Sequence, residues 1–272
     1  MPTLTVNGLA LFVVDEGQGT PVILLHGFPD TSHLWRHQIP ALVDAGYRVI
    51  APDLRGRGRS EKPERVEDYK LSAILGDVAG IMDALGIVRA HIVGHDWGAA
   101  VAWVLAALMP ELVDRLVVIS VGHPAALPHP TLEQLQKSWY YLLFHFPGLA
   151  EDALRKDDWY LFRVFLHEKG DAERYIQDLS EPRSLTAALN WYRANVPPER
   201  FLAPPSRLPA VQAATLGIYS TGDLYLTEEA MVRSVDHVKG PWHYARVEGV
   251  SHWIPTEAPE WLTGQLLEFL RI

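Results

Sequence analysis

The chain has 272 residues, 48% hydrophobic and 21% charged, the composition of a globular protein large enough to bury a substantial core. A net charge of -9 with no run of five basic residues argues against a nucleic-acid or anionic-membrane partner, leaving small neutral molecules as the expected ligands. There is no cysteine, which excludes disulfides, thiolate metal sites and a cysteine nucleophile.

In chain order, the opening residues lack the basic and apolar pattern of a signal peptide and read as mature protein, so a cytoplasmic location is expected. A hairpin is predicted to about residue 16. The runs "PVILLHG", "YRVIAPD", "RAHIVGH" and "RLVVISVG" follow as β-branched strands with helical patterns between them, the rhythm of a parallel sheet flanked by helices. The most apolar helix, "GAAVAWVLAALMP", is far shorter than the roughly 20 residues that cross a bilayer. From 123 to 207 the strand rhythm stops, and helical patterns rich in aromatics take over, ending in the proline-rich "LAPPSRLP". The sheet resumes at "TLGIYSTGD" and "WHYARVEGV", and "EAPEWLTGQLLEFLRI" closes the chain as a helix. The expected architecture is therefore α/β, a mostly parallel eight-stranded sheet, with a core of residues 1–122 and 208–272 and a helical cap of 123–207. The inserted segment holds 13 of the chain's 27 aromatics. That density fits either a small core of its own or a lid over a site at the carboxyl edge of the sheet. The run "RKDD" reads as a solvated helix face.

The motif "GHDWG", residues 94–98, lies between a predicted strand and a predicted helix, as a nucleophile elbow does. Its Asp96 stands where that turn usually carries serine, and by itself could be a helix N-cap. Three further features join it: "HGFPD" after an early strand, Asp223 after the strand "TLGIYS", and His252 between the last strand and the terminal helix. Asp223 is also a residue type that commonly forms turns. The order nucleophile, acid, histidine is the one this kind of sheet uses. His26, His91 and His95 are expected to make loop or core hydrogen bonds. No acid follows "VVISVG", so Asp223 has no competitor there.

With "HGFPD", "DLRGRGRS", "GHDWGA", "NWYR" and "SHWIP", the chain resembles the α/β-hydrolase superfamily over essentially its whole length. Within it the likeness is to the soluble-type epoxide hydrolases, whose aspartate nucleophile is shared with haloalkane dehalogenases. The resemblance implies an oxyanion hole from the N–H groups of Phe28 and Trp97, ring-opening acids at Tyr140 and Tyr192, and a substrate pocket walled by Phe28, Trp97, Tyr141 and Trp191. Tyr141 competes with Tyr140, since consecutive helical residues point about 100° apart.

A carboxylate suits saturated carbon. Serine attacking such a carbon would give an inert ether, whereas Asp96 would give an ester that water can cleave. Asp96 needs no base, so His252, oriented by Asp223, is free to activate that water. The implied reaction converts a lipophilic epoxide and water to a vicinal diol, with neither metal nor organic cofactor. A haloalkane dehalogenase with the same triad and a non-catalytic small-molecule receptor are the alternatives. No nucleic-acid or membrane partner is expected, and a homodimer is compatible with the sequence. The three arginines of "DLRGRGRS" do not fit a phosphate loop and read as part of a structural turn.

Overall fold

The computed structural model describes residues 3–127, 129–199 and 207–271. Eight strands form one sheet: β1 (Thr3–Val6), β2 (Leu9–Gly17), β3 (Thr20–Leu25), β4 (Tyr47–Pro52), β5 (Ala90–His95), β6 (Val113–Ile119), β7 (Ala214–Ser220) and β8 (Trp242–Val247). Their order is β1-β2-β4-β3-β5-β6-β7-β8. The opening hairpin pairs antiparallel, β2 runs antiparallel to β4, and every later pairing is parallel. The expected mostly parallel eight-stranded sheet is thus present. The apolar runs of β3 and β5 are buried along most or all of their length, as parallel strands covered on both faces must be. The helix Trp97–Leu108, with Val101, Trp103 and Leu105 fully buried, packs against β3, β5 and β6.

Between β6 and β7 the described residues contain helices and no strand: Leu132–Lys137, Tyr140–Phe144, Leu149–Leu166, Ala172–Ser180 and Ser184–Asn195. Most of "LAPPSRLP" lies outside the described residues. This insertion has apolar packing of its own, with Phe144, Phe162 and Leu166 buried, and a bidentate ion pair of Arg193 with Glu151 at 2.9 and 3.0 Å. It is also tied to the sheet side. The Trp191 indole donates to the Arg55 carbonyl at 3.0 Å, and Leu71 N–H donates to Asn195 Oδ1 at 2.7 Å. The insertion thus has a small core of its own and is fastened to the sheet side.

One local expectation needs correction. Residues 155–158 are exposed as expected, but the helix breaks at Lys156–Trp159, where Asp157, Asp158 and Trp159 adopt positive φ. Five residues along an unbroken helix turn through about 500°, so Leu154 and Trp159 could not share a face. The break lets both be buried, with Trp159 meeting the Phe162 ring at 5.6 Å, and aspartate tolerates left-handed backbone better than most residues. At the C-terminus, a short helix Ile254–Glu257 separates His252 from the terminal helix Pro259–Leu270.

Candidate active site

The elbow is built by two close approaches. A Cβ at Gly94 would lie 2.3 Å from the Gly98 carbonyl oxygen, and one at Gly98 would lie 2.0 Å from the Leu25 carbonyl oxygen. Only glycine permits that packing of strand on helix. Asp96 between them is held at φ 52°, ψ -122°, a strained conformation for a residue with a side chain. Its carboxylate makes no capping bond to the helix it precedes, so the N-cap reading is not realised.

Asp96 Oδ1 instead accepts the Phe28 N–H at 2.7 Å, from the loop after β3. Gly27 makes this approach feasible, since a Cβ there would fall 2.3 Å from both Asp96 Cβ and Oδ1. Of the two N–H groups expected to form an oxyanion hole, that of Phe28 engages the carboxylate; that of Trp97, the first helical residue, makes no such bond. Asp96 Oδ2 lies 3.6 Å from His252 Nε2, an ion-pair contact, while His252 Nδ1 lies 2.7 Å from Asp223 Oδ2. Asp223 Oδ1 accepts the N–H groups of Tyr225 at 2.8 Å and Leu226 at 3.0 Å. One oxygen of Asp223 thus closes a turn and the other holds the histidine, so the two roles open in the sequence are both filled.

The electrostatics follow from burial among few partners. Burial lowers the proton affinity of His252, but Asp223 and then Asp96 more than reverse this, raising its pKa to about 10. Burial raises the pKa of Asp96, yet His252 and the Phe28 N–H hold it below the usual carboxylate range. Asp223 is likewise depressed, burial being outweighed by His252 and the two turn amides. Both aspartates are therefore anions around one imidazolium near neutrality. The neighbouring histidines are neutral, as burial pulls His26 to about 4 and His95 to about 3. His26 Nε2 accepts the Leu54 N–H, and its Nδ1 donates to the Gly27 carbonyl; His95 Nε2 donates to the His252 carbonyl. These are the loop and core hydrogen bonds expected of them.

A cavity of about 690 Å³ reaches Asp96 and is lined by Trp97, Tyr141, Leu142, His123 and Leu226 among others. That is ample for a small organic ligand. Of the other expected pocket residues, Phe28, Tyr192 and Trp191 form an aromatic layer against Trp97: Tyr192 meets Phe28 at 5.5 Å and Trp97 at 5.2 Å, and Trp97 meets Trp191 at 5.7 Å. Trp191 donates its indole N–H to the Arg55 carbonyl, and like Phe28 and Tyr192 it lies behind the residues that line this cavity. Its indole is the tie between insertion and sheet, which fixes its position. The Tyr192 hydroxyl is hydrogen-bonded by the Trp97 side chain and feels the Asp96 charge. Burial, then its aromatic and anionic neighbours, keep Tyr192 and Tyr140 well above the usual phenol pKa.

Tyr140 is buried against Phe144 and Phe165, whereas Tyr141 faces the cavity. The expected divergence of these neighbours holds at the backbone but not at the hydroxyls, which share a hydrogen bond with the rings edge-on at 4.8 Å. Long side chains converge where Cα–Cβ vectors do not.

Three neighbours of the site escaped the sequence reading. Tyr225 packs edge-on to His252 at 5.2 Å and donates to the Phe165 carbonyl at 2.6 Å. Asp30, in "HGFPD", is buried and accepts the Trp253 indole N–H at 3.1 Å, and burial raises its pKa to about 7. Arg57 lies against Phe28 and Trp191. Position two residues beyond the triad acid was the one available signal for Tyr225; nothing local marked the other two.

The α/β-hydrolase fold family matches residues 20–168. The chain is 35% identical to AB hydrolase superfamily protein YfhM of Bacillus subtilis, over 97% of this chain and 96% of that one. It is 35% identical to epoxide hydrolase A of Mycobacterium tuberculosis, over 97% and 95% respectively. Among solved structures, an epoxide hydrolase from hot-environment metagenomes superposes with a TM-score of 0.89 at 33% identity, covering 99% of this chain and 98% of that one. Among the described residues no helix is long and apolar enough to cross a membrane. By sequence and by fold, the chain belongs to the α/β-hydrolase family and groups within it with the epoxide hydrolases.

Proposed function

We propose that this hydrolase opens a lipophilic epoxide to a vicinal diol through a covalent ester on Asp96. The observation that carries the reading is the placement of Asp96: a carboxylate at a strained elbow, with one oxygen on the Phe28 N–H and the other facing His252. In this reading residues 123–207 act as the cap that supplies the acids. A carboxylate oxygen of Asp96 attacks a ring carbon, and the C–O bond of that carbon to the ring oxygen breaks. The oxygen takes a proton from Tyr192, supported by the hydrogen-bonded pair Tyr140 and Tyr141. Tyr192 packs edge-on against Trp97, the residue that follows Asp96.

Ester formation neutralises Asp96 and removes one of the two anions that hold the proton on His252. The histidine then gives up that proton, which restores the Tyr192 phenolate, and as a neutral base takes a proton from water while the hydroxide attacks the Asp96 carbonyl carbon. The Phe28 and Trp97 N–H groups receive the oxyanion. A side-by-side assay of styrene oxide, a trans-disubstituted epoxide and a bromoalkane tests the reading. Diol from an epoxide with little halide release supports it; halide release alone would reassign the enzyme as a dehalogenase, and no turnover of any would leave a receptor.

A further inference from the structure

The turn "DLRGRGRS" carries three arginines at alternate positions, and the fold treats them differently. Arg55 pairs in bidentate fashion with Asp77, both contacts at 2.7 Å, and donates to the Asp68 carbonyl at 2.6 Å. Arg59 is exposed, lies 3.5 Å over the Phe12 ring and approaches Asp53 at 3.9 Å. Arg57 is 3% exposed, yet no carboxylate pairs with it among the described residues. Its Nη1 has no hydrogen-bond partner there, and its Nη2 reaches the Ala188 carbonyl only at 3.5 Å. Two rings lie against it, Phe28 at 5.2 Å and Trp191 at 5.6 Å.

A buried, unpaired guanidinium is costly, and packing alone would be served better by an apolar side chain. The rings it touches show where its charge is aimed. Phe28 provides the N–H that holds Asp96, Trp191 directly precedes Tyr192, and Tyr192 packs edge-on against Phe28.

We propose that Arg57 is a positioning residue for ring opening, whose buried charge stabilises the negative charge that the reaction moves from Asp96 to Tyr192. The proposal rests on the reading of Tyr192 as the proton donor. In that step the Asp96 carboxylate becomes a neutral ester, the ring C–O electron pair goes to the ring oxygen, and the Tyr192 proton follows it, leaving a phenolate. The imidazolium proton of His252, no longer held by the Asp96 charge, passes by way of water to the Tyr192 phenolate, and ester hydrolysis then returns one proton from water to His252. Burial lowers the pKa of Arg57 to about 10, so it remains a cation at neutral pH, set against the Phe28 ring that packs edge-on to Tyr192. A group that favours the charge after the transfer over the charge before it accelerates the step.

The test measures the rate at which the ester mass appears on the protein after mixing with styrene oxide, in a His252→Gln background where hydrolysis is blocked. Arg57→Gln keeps a donor toward Ala188 and should slow ester formation roughly ten- to a hundredfold, while Arg57→Lys keeps the charge and should stay within about threefold. In a Tyr192→Phe background, Arg57→Gln should change the rate by less than about twofold, since the charge acts through the hydroxyl. If Arg57→Gln fails to fold, Arg57→Met takes its place in the same cycle. Equal slowing in both backgrounds, or Lys as slow as Gln, would overturn the proposal while leaving the acid assignment intact. An unchanged rate in Tyr192→Phe alone would remove the acid assignment, and the proposal with it.

Discussion

Asp96→Asn should lower the pKa of His252 from about 10 to roughly 6.5 to 7. Two unit charges 3.6 Å apart, at an effective dielectric of about 20, attract by roughly 4 to 5 kcal/mol, about three to three and a half decades of proton affinity. Asp223, nearer at 2.7 Å, stays and keeps the imidazole basic. The asparagine amide is uncharged like the ester, so the variant reports the basicity of His252 in the intermediate. Titration of the His252 imidazole by NMR measures the shift directly. A consequence for stability follows with a definite sign. A folded pKa above the unfolded 6.5 contributes stability that is fully present below pH 6.5 and lost as pH rises through about 10. Thermal unfolding of the parent should therefore weaken between pH 7 and 10, and Asp96→Asn should lose most of that dependence. A His252 that still titrates near 10 in Asp96→Asn would refute the electrostatic account.

Three other substitutions probe separate parts of the structure. Gly27→Ala sets a methyl against Asp96 Cβ and Oδ1 and should push the Phe28 N–H away, cutting turnover at least about tenfold in steady-state assays without loss of fold. Glu151→Ala leaves Arg193 buried and unpaired within the insertion and should cost about 3 to 5 kcal/mol in denaturant unfolding. Asp30 has a folded pKa raised from 3.8 to about 7, so its ionisation penalises the fold progressively between those values. Asp30→Asn should accordingly raise stability at pH 8, by at most about 4 kcal/mol, with little change at pH 4; equal effects at both would contradict the assignment.

The sheet and the triad were legible in the sequence because their determinants are local. β-branched runs set the strands, Gly94 and Gly98 flank Asp96 in a pentapeptide with one workable geometry, and Asp223 and His252 sit at strand ends that the sheet brings together. What stayed hidden depends on partners distant in the chain. Arg55, Arg57 and Arg59 look alike in "DLRGRGRS", and only the presence of Asp77 beside one and of Phe28 and Trp191 beside another separates their roles. Trp191 and Tyr192 are adjacent, yet one indole is committed to a distant carbonyl and one hydroxyl to Trp97. The convergence of Tyr140 and Tyr141 depends on side-chain torsions that helical periodicity does not encode.

The covalent ester is the central claim, and intact mass measurement of His252→Gln tests it most directly. After incubation with styrene oxide the protein should gain the mass of one whole substrate molecule, located at Asp96 by peptide mapping, and Asp96→Ala should show no gain. An unmodified protein across a panel of epoxides and haloalkanes, or an adduct at any other residue, would contradict the account.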